Sequence, residues 1–319
     1  MSTQLQQPRQ QYSRIQVDPV TPVIGAEISG IDLSRPVDAQ TAVEIQNALH
    51  DWRVVFFRDQ GLSNDQLKAF GRVFGPLTPA HPIADGLEDH PEIWERSVLE
   101  YRERRTANDA LPPGRIPPQD FKGWHIDITF VANPNRYSIL YGVEIPAYGG
   151  DTLFANLIEA YQGLSRPIRD LIDGLQAVHR TSSYDSERRG PRRDGLPNGP
   201  FTSLHPLVRI HPETGEKLLF LNPGTTSHII GLKERESQAL LDLLYSELQR
   251  PEYQVRFHWR PGSLVVWDNQ AVAHAGPIDY SHFVGPRTVR RITVAGDLPK
   301  GPDGFTSRPL EGDLFGVIG

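Results

Sequence analysis

The apolar positions of the chain follow helical spacing in a few segments and strand spacing in most others. Residues 42–52 are apolar at helical intervals and predict a first helix, which leads into the wholly apolar run Val54–Phe57. A run that is apolar at every position is typical of a strand covered on both faces. Ser63 and Gln66 form a capping-box signature, which predicts a second helix that ends near Gly75.

Short apolar or alternating runs predict strands through much of the remaining chain. One amphipathic helix, over residues 234–249, interrupts them. The pattern predicts a mainly β protein with flanking helices, of the α+β class. Many short strands in two facing layers favour a double-stranded β-helix, the jelly-roll or cupin-like fold. The predicted strands lie at residues 138–143, 151–155, 207–210, 217–221, 253–259, 264–267 and 290–294.

Five segments define the predicted domain organisation. Residues 1–13 are polar and predict a disordered tail, residues 14–297 predict a single domain, and residues 298–319 form a C-terminal extension rich in proline and glycine. Residues 97–120 are charged and then proline-rich, and we interpret them as a solvated insertion or a lid. Residues 180–200 are rich in arginine and predict a mobile loop, either simply solvated or helping to attract an anionic substrate.

Composition excludes several classes of protein. A net charge of −6 over 319 residues argues against a general nucleic-acid binder. The chain has no cysteine, which excludes disulfides, thiolate metal sites and cysteine nucleophiles. The first eleven residues carry no apolar stretch, and no apolar run is long enough to span a bilayer. We therefore expect a cytoplasmic protein without a membrane partner, acting on small molecules.

The candidate chemistry lies in a histidine–acid triplet. With 11 histidines and 39 acidic residues, the chain should contain roughly one His-x-acid triplet by chance, and it contains three. Those at His90 and His211 have a central proline, which favours a loop; the second of them is predicted to join two strands as a hairpin. His125-Ile126-Asp127 is instead flanked by residues that suit a strand.

On a strand, His125 and Asp127 would project to the same face and could bind one ion. His274, far downstream, is the candidate third ligand. Two imidazoles and one carboxylate that leave positions open are typical of non-heme Fe(II) oxygenases. A structural zinc site is disfavoured, because such sites are usually closed by four ligands.

Several ordered motifs carry a resemblance that runs from about residue 15 to residue 297. They lie at residues 22–30, 54–60, 124–130, 149–153, 205–215, 267–269 with His274, and 287–297. With them, the chain resembles the taurine dioxygenase family of Fe(II)/2-oxoglutarate-dependent dioxygenases. The resemblance implies Fe(II) as cofactor, 2-oxoglutarate and O2 as co-substrates, and a homo-oligomer.

Carried over by position, the resemblance implies that His125, Asp127 and His274 bind iron and act in catalysis. It also implies that Thr152 and Arg287 bind the distal carboxylate of 2-oxoglutarate. A permanently charged guanidinium suits that carboxylate, since it can bind in bidentate form. Strand alternation places Arg290 and Arg291 on opposite faces, and we interpret Arg290 as a surface charge.

The resemblance also implies a substrate site. His81, the backbone amide of Ile128 and Arg291 match the groups that hold a sulfonate in taurine-specific members. Phe121 and Ala84 stand where such members contact the taurine amine, and Thr225 replaces a phenylalanine that packs the substrate. The resemblance therefore predicts an anionic substrate without an amine in that position, such as an alkyl sulfonate, an alkyl sulfate or a carboxylate.

The predicted reaction couples oxidative decarboxylation of 2-oxoglutarate, to succinate and CO2, with hydroxylation of that substrate. Hydroxylation next to a sulfonate or a sulfate ester would release an aldehyde with sulfite or sulfate. The presence of Asp127 argues against a halogenase. Two alternatives stay open: the same iron chemistry on a carboxylate or amino-acid-derived substrate, by hydroxylation or desaturation, and, more remotely, a non-catalytic β-helix binding protein.

Overall fold

The computed structural model describes residues 12–97, 123–181, 199–276 and 285–318. The greater part of the predicted insertion, most of the arginine-rich loop and Phe121 lie outside these ranges. The first described residues contact the first helix, because Tyr12 Oη and the Ser13 amide donate hydrogen bonds to the carboxylates of Asp51 and Glu44.

The largest sheet has seven strands, whose spatial order is β1-β2-β3-β14-β6-β16-β4. Neighbouring strands are antiparallel except for β2 and β3, which are parallel. The strands are β1 Gln16–Pro19, β2 Ala26–Ser29, β3 Val54–Phe57, β4 Trp94–Ser97, β6 Tyr137–Glu144, β14 Leu264–Asp268 and β16 Thr288–Val294.

A four-stranded sheet in the order β13-β7-β15-β5 lies against one face of the seven-stranded sheet. These two facing sheets are called the smaller sheet and the larger sheet. A further four-stranded sheet has the order β12-β8-β9-β17, and β10 and β11 form a separate hairpin. The strands are β5 Trp124–His125, β7 Thr152–Asn156, β8 Gln176–Arg180, β9 Thr202–Pro206, β10 Val208–Ile210, β11 Lys217–Leu219, β12 Thr226–Ile229, β13 Gln254–Phe257, β15 Val272–Ala275 and β17 Arg308–Glu311.

Helices pack on the outer faces of the sheets. The predicted capping box is confirmed, since Ser63 Oγ accepts from the Gln66 amide and the Gln66 side chain accepts from the Ser63 amide. The second helix ends at Arg72, before the predicted Gly75. Within the described ranges no helix is long and apolar enough to cross a bilayer. The helices are α1 Ala39–Trp52, α2 Asn64–Arg72, α3 Leu157–Gln162, α4 Arg166–Ile172 and α5 Glu234–Leu248.

The core between the two facing sheets explains the wholly apolar strands. On β3, Val54 and Phe56 face the smaller sheet, whereas Val55 and Phe57 face the helices α1 and α2. Strand β14 alternates in the same way. Both faces of these strands are therefore buried, as the sequence predicted, and the two facing sheets form the predicted double-stranded β-helix.

One prediction about the metal triplet is wrong. Only Trp124 and His125 belong to strand β5, and Asp127 lies in the turn that follows it. The turn passes through Ile128, which is buried and has a φ of 48°. A β-branched residue rarely adopts this left-handed conformation, so neighbouring contacts must hold it there. Strand alternation therefore does not explain why His125 and Asp127 point to one place.

Candidate metal and substrate site

Two histidines face each other across the smaller sheet. His125 on β5 and His274 on β15 are register partners, and their ring centroids are 4.1 Å apart. The rings of Phe154 and Trp267 pack against His274, with centroids 6.2 and 4.7 Å away. Nδ1 of His125 donates to the carbonyl of Gly123 at 3.2 Å, which leaves the lone pair of the neutral ring on Nε2.

The carboxylate of Asp127 lies between the two sheets, and both of its oxygens are bonded by strands of the larger sheet. Its Oδ1 accepts a hydrogen bond from Arg291 on β16, at 2.7 Å, and its Oδ2 accepts one from Ser138 on β6, also at 2.7 Å. Asn269 exchanges hydrogen bonds with the main chain of Asp127, accepting from its amide and donating to its carbonyl. These contacts orient the carboxylate in the absence of a strand.

A second hydrogen-bonded residue supports Ser138. The Nδ2 group of Asn135 donates to Ser138 Oγ at 2.8 Å, so the serine proton is directed to Asp127 Oδ2. Asn269 also donates to both side-chain and main-chain oxygens of Asn135. Asn135, Ser138, Asp127 and Asn269 therefore form one buried network, in which each hydrogen bond limits the rotation of the next group.

The protonation states of the three candidate ligands suit metal binding. Burial alone would raise the pKa of the Asp127 carboxyl, but Arg291, the two imidazoles and the Ser138 hydroxyl outweigh it and hold the pKa well below its usual range. Burial, with the neighbouring His125, lowers the pKa of His274 to about 3. At neutral pH the site offers an ionised carboxylate and neutral imidazole nitrogen.

The donor atoms also fit a single ion in position. Asp127 Oδ1 lies 4.0 Å from His125 Nε2 and 3.8 Å from His274 Nε2, and one donor atom from each of the three residues lies within 4.8 Å of the others. Two metal–ligand bonds of about 2.1 Å can span donors up to about 4.2 Å apart, so one ion can reach these pairs. Two imidazoles and one carboxylate suit a transition metal such as iron, with coordination positions left for other molecules.

Thr152 and Arg287 are brought together by a residue that the sequence analysis did not assign. Trp259 donates from Nε1 to Thr152 Oγ1 at 3.0 Å, and the Arg287 guanidinium carbon lies 5.8 Å from the centre of its ring. Arg287 also donates from Nε to the carbonyl of Gly150 at 3.1 Å. Both Thr152 and Arg287 are buried, so a hydroxyl and a guanidinium lie beside the same indole, out of bulk water.

Arg291 is buried beside the metal candidates and has one edge without an acceptor. Its Nη1 donates to Asp127, whereas its Nε has no hydrogen-bond partner among the described residues. A buried guanidinium N–H without an acceptor is costly, and an anionic ligand would satisfy it. Arg290, on the opposite face, forms the partly exposed ion pair with Glu95 that its surface position predicts.

The remaining predicted substrate residues lie around an apolar cluster. His81 has its ring centroid 6.0 Å from those of both Trp94 and Phe130. Its Nδ1 accepts from the Ile83 amide, so the neutral ring carries its proton on Nε2. Ile128 packs with Phe130 in a cluster of six buried residues. The cluster comprises Ile83, Ile128, Phe130, Val131, Phe201 and Phe315.

The C-terminal segment closes one side of this apolar cluster. Phe315 packs into it, and its main chain exchanges two hydrogen bonds with the side chain of Asn133, at 2.8 and 2.9 Å. Strand β17 pairs with β9 shortly before this point. The extension that the sequence separated from the main domain therefore contributes a wall beside Ile128 and Phe130.

Comparison with known proteins agrees with this geometry. Residues 16–293 match the family model described as taurine catabolism dioxygenase TauD, TfdA family. An alpha-ketoglutarate-dependent sulfate ester dioxygenase of Pseudomonas putida is 37% identical over 306 residues, covering 92% of this chain and 94% of its own. An alkylsulfatase of Acinetobacter baylyi is 35% identical over 322 residues, covering 97% of this chain and 92% of its own.

A solved structure extends the similarity to three dimensions. The crystal structure described as a putative alpha-ketoglutarate-dependent taurine dioxygenase from Burkholderia xenovorans superposes with a TM-score of 0.80 at 42% identity. The match covers 94% of this chain and 99% of that one. The fold and these relatives define the chain as an α-ketoglutarate-dependent dioxygenase, and thus an oxidoreductase. Within that class, it belongs to the TauD/TfdA family.

Proposed function

We propose that this dioxygenase uses Fe(II), 2-oxoglutarate (α-ketoglutarate) and O2 to oxidise a small organic anion without an amine, namely an alkyl sulfate ester or an alkyl sulfonate. The observation that carries the proposal is the buried edge of Arg291, which lacks an acceptor while the same guanidinium touches the candidate metal ligand Asp127. An anion bound there would place its neighbouring carbon beside the metal.

The proposed metal ligands are His125, Asp127 and His274. Bound Fe(II), with 2-oxoglutarate and O2, supplies the oxidising chemistry. The protein's part is to hold these groups and to exclude water. Gly123 fixes the ligating tautomer of His125, and the aromatic packing on His274 keeps its ring in place. Asp127 is held in an orientation that directs Oδ1 towards both imidazoles.

Thr152 and Arg287 are proposed to bind the distal carboxylate of 2-oxoglutarate. Burial strengthens a charged hydrogen bond to that carboxylate, and the planar guanidinium can donate two parallel bonds. Trp259 orients both groups, since it bonds the hydroxyl of Thr152 and lies beside the guanidinium of Arg287.

The substrate anion is proposed to be bound by Arg291, His81 and the Ile128 amide, next to the apolar cluster. Phe121, which lies outside the described residues, and Ala84 replace two groups that taurine-specific members use for the amine, so we expect an alkyl group there instead of an ammonium. The sulfur assignment is supported by the relatives described as a sulfate ester dioxygenase and an alkylsulfatase.

In the proposed reaction, 2-oxoglutarate is cleaved to succinate and CO2. One oxygen atom of O2 enters succinate, and the other is inserted into the C–H bond next to the sulfate or sulfonate group. The hydroxylated carbon then loses sulfate by cleavage of its bond to oxygen, or sulfite by cleavage of its bond to sulfur. The hydroxyl proton leaves, and an aldehyde forms.

The test is succinate formation by the Fe(II)-loaded protein in air, across taurine, alkyl sulfonates, alkyl sulfates, aryloxy acids and amino acids, with His125→Ala as the blank. The expected result is stimulation by an amine-free sulfur compound, with sulfate or sulfite released in equal amount. Stimulation by taurine would contradict the assignment made from Ala84 and Phe121. Stimulation by a carboxylate alone would show that the substrate is a carboxylate and not a sulfate ester or a sulfonate.

A further inference from the structure

We propose that Trp94 is a positioning residue for the substrate anion: its indole supports the face of the Arg291 guanidinium, so that one edge of this group stays on Asp127 and the other edge is presented to the anion. The inference rests on the proposed function, because it assigns a role within the same anion site.

The pairing of two strands sets this contact. Trp94 on the edge strand β4 is the register partner of Arg291 on β16, so their side chains project from the same face of the sheet. The guanidinium carbon lies 4.5 Å from the centre of the Trp94 ring, which is within the range of a cation–π contact. Because tryptophan gives the strongest such contact among the aromatic side chains, the ring limits rotation of the guanidinium.

The Arg291 guanidinium makes a different contact at each edge and at its face. Its Nη1 donates to Asp127 Oδ1 at 2.7 Å, its face lies on the indole, and its buried Nε lacks an acceptor among the described residues. A sulfate or sulfonate oxygen that accepts from this edge completes the hydrogen bonds of the group. The anion and Asp127 are then both hydrogen-bonded to the Arg291 guanidinium, whose rotation the indole limits.

Trp94 also touches the second predicted anion ligand. Its ring centroid lies 6.0 Å from that of His81, with the two planes inclined by 35°. The same indole therefore lies beside both of the residues that are proposed to bind the anion through their side chains. By contrast, the buried apolar clusters found within the described ranges do not include Trp94, which is only partly buried.

Strand β4 adds positive charge on the same face. Arg96 lies two residues after Trp94 on the same strand, so its side chain projects from the same face of the sheet as Trp94 and Arg291. The carboxylate of Asp127 already accepts from Arg291. This arrangement favours a substrate with a negative head group over a neutral one.

The test compares Trp94→Leu with Trp94→Phe in the full-length protein loaded with Fe(II) and 2-oxoglutarate. Calorimetric titration with sodium hexyl sulfate under anaerobic conditions gives the binding constant, and aerobic assays give KM and kcat. Trp94→Leu should weaken hexyl sulfate binding and raise its KM by about tenfold, because a desolvated cation–π contact is lost. Trp94→Phe should recover most of the loss, and the KM for 2-oxoglutarate, which is proposed to be bound by Thr152 and Arg287, should stay within about twofold in both variants.

Tyr253→Leu is the matched control. It removes an aromatic ring from beneath another arginine, Arg250, at 5.1 Å and away from the site, and it should leave hexyl sulfate binding unchanged. Melting curves establish that each variant folds. Equal binding by the wild-type protein and Trp94→Leu would overturn the inference, as would a Trp94→Phe variant as weak as Trp94→Leu.

The role of Trp94 and the proposed function can be refuted separately. If the wild-type protein binds hexyl sulfate and releases sulfate while Trp94→Leu binds equally well, the role of Trp94 is refuted and the proposed function stands. If the wild-type protein ignores sulfur compounds but binds a carboxylate, and Trp94→Leu weakens that binding tenfold, the role of Trp94 stands and the sulfur substrate is refuted.

Discussion

His125 and His274 are direct partners across the antiparallel strands β5 and β15, with their rings 4.1 Å apart. This strand pairing brings together two residues that are far apart in the sequence. The carboxylate of Asp127 is positioned separately, by contacts from the opposite sheet. The site therefore has two independently supported halves, which can be tested one at a time.

Removal of one imidazole should abolish turnover. In His274→Ala the ion keeps only two protein ligands, so we expect 2-oxoglutarate consumption to fall below about 1% of the wild-type rate. Fe(II) binding, measured anaerobically, should weaken in parallel. His228→Ala provides the control, because His228 is an exposed histidine outside the site. A His274→Ala protein with wild-type Fe(II) affinity would contradict the ligand assignment.

Loss of the Ser138 hydroxyl should loosen the metal site without removing a ligand. Ser138→Ala leaves Asp127 Oδ2 without its donor, and residues that orient a metal ligand typically contribute about 10- to 100-fold to metal affinity. A Co(II) titration of the metal-free protein measures the change. Ser246→Ala is the matched control, since its hydroxyl only bonds the helix carbonyl of Leu243; an equal loss in this variant would refute the specific role of Ser138.

Arg287 should require a guanidinium rather than a positive charge alone. Arg287→Lys keeps the charge but loses the planar pair of donors, so we expect the KM for 2-oxoglutarate to rise by about tenfold or more. The KM for the second substrate should change much less. Arg290→Lys makes the same exchange on strand β16 and should leave both constants near their wild-type values, because Arg290 pairs with Glu95.

His205 should make the folded protein less stable as the pH falls. Burial lowers the pKa of His205 to about 4 from 6.5, although its Nε2 donates to the carbonyl of Thr129. Between these pH values the unfolded chain binds a proton that the folded protein excludes, so this contribution to stability is lost as pH falls from about 6.5 towards 4. The difference is worth up to about 3 kcal/mol.

Urea unfolding at pH 7.5, 6 and 5 measures this effect against His205→Gln, which keeps a side-chain N–H donor but does not titrate. The variant should lose less stability on acidification than the wild-type protein does, whatever its stability at pH 7.5. If the two proteins lose stability in parallel, another group is responsible for the acid sensitivity.

The sequence predicted the fold because most of its strands and helices have simple periodic patterns. The run Val54–Phe57 is apolar at every position, and in the structure it is covered on both faces. The capping box at Ser63 and the hairpin at His211 were also predicted, and the structure confirms both. These features depend on nearby residues, so local patterns suffice to find them.

The site was only partly predictable, because its residues are positioned by contacts between segments that are far apart in the sequence. The spacing of His125 and Asp127 suggested a strand, but the structure holds Asp127 in a turn through Ser138, Arg291 and Asn269. Trp94 and Trp259 were also missed, because each acts through a residue on another strand. Periodicity within one segment cannot show such contacts, although Asn269 lies in a motif that the resemblance had marked.

The position of Asp127 between the sheets has a mechanical consequence. The histidines belong to the smaller sheet, whereas the carboxylate is fixed to strands of the larger one. An ion bound by all three would cross-link the two facing sheets. Iron loading would then hold the sheets together, and the same bonds that prepare the chemistry would slow unfolding of the protein.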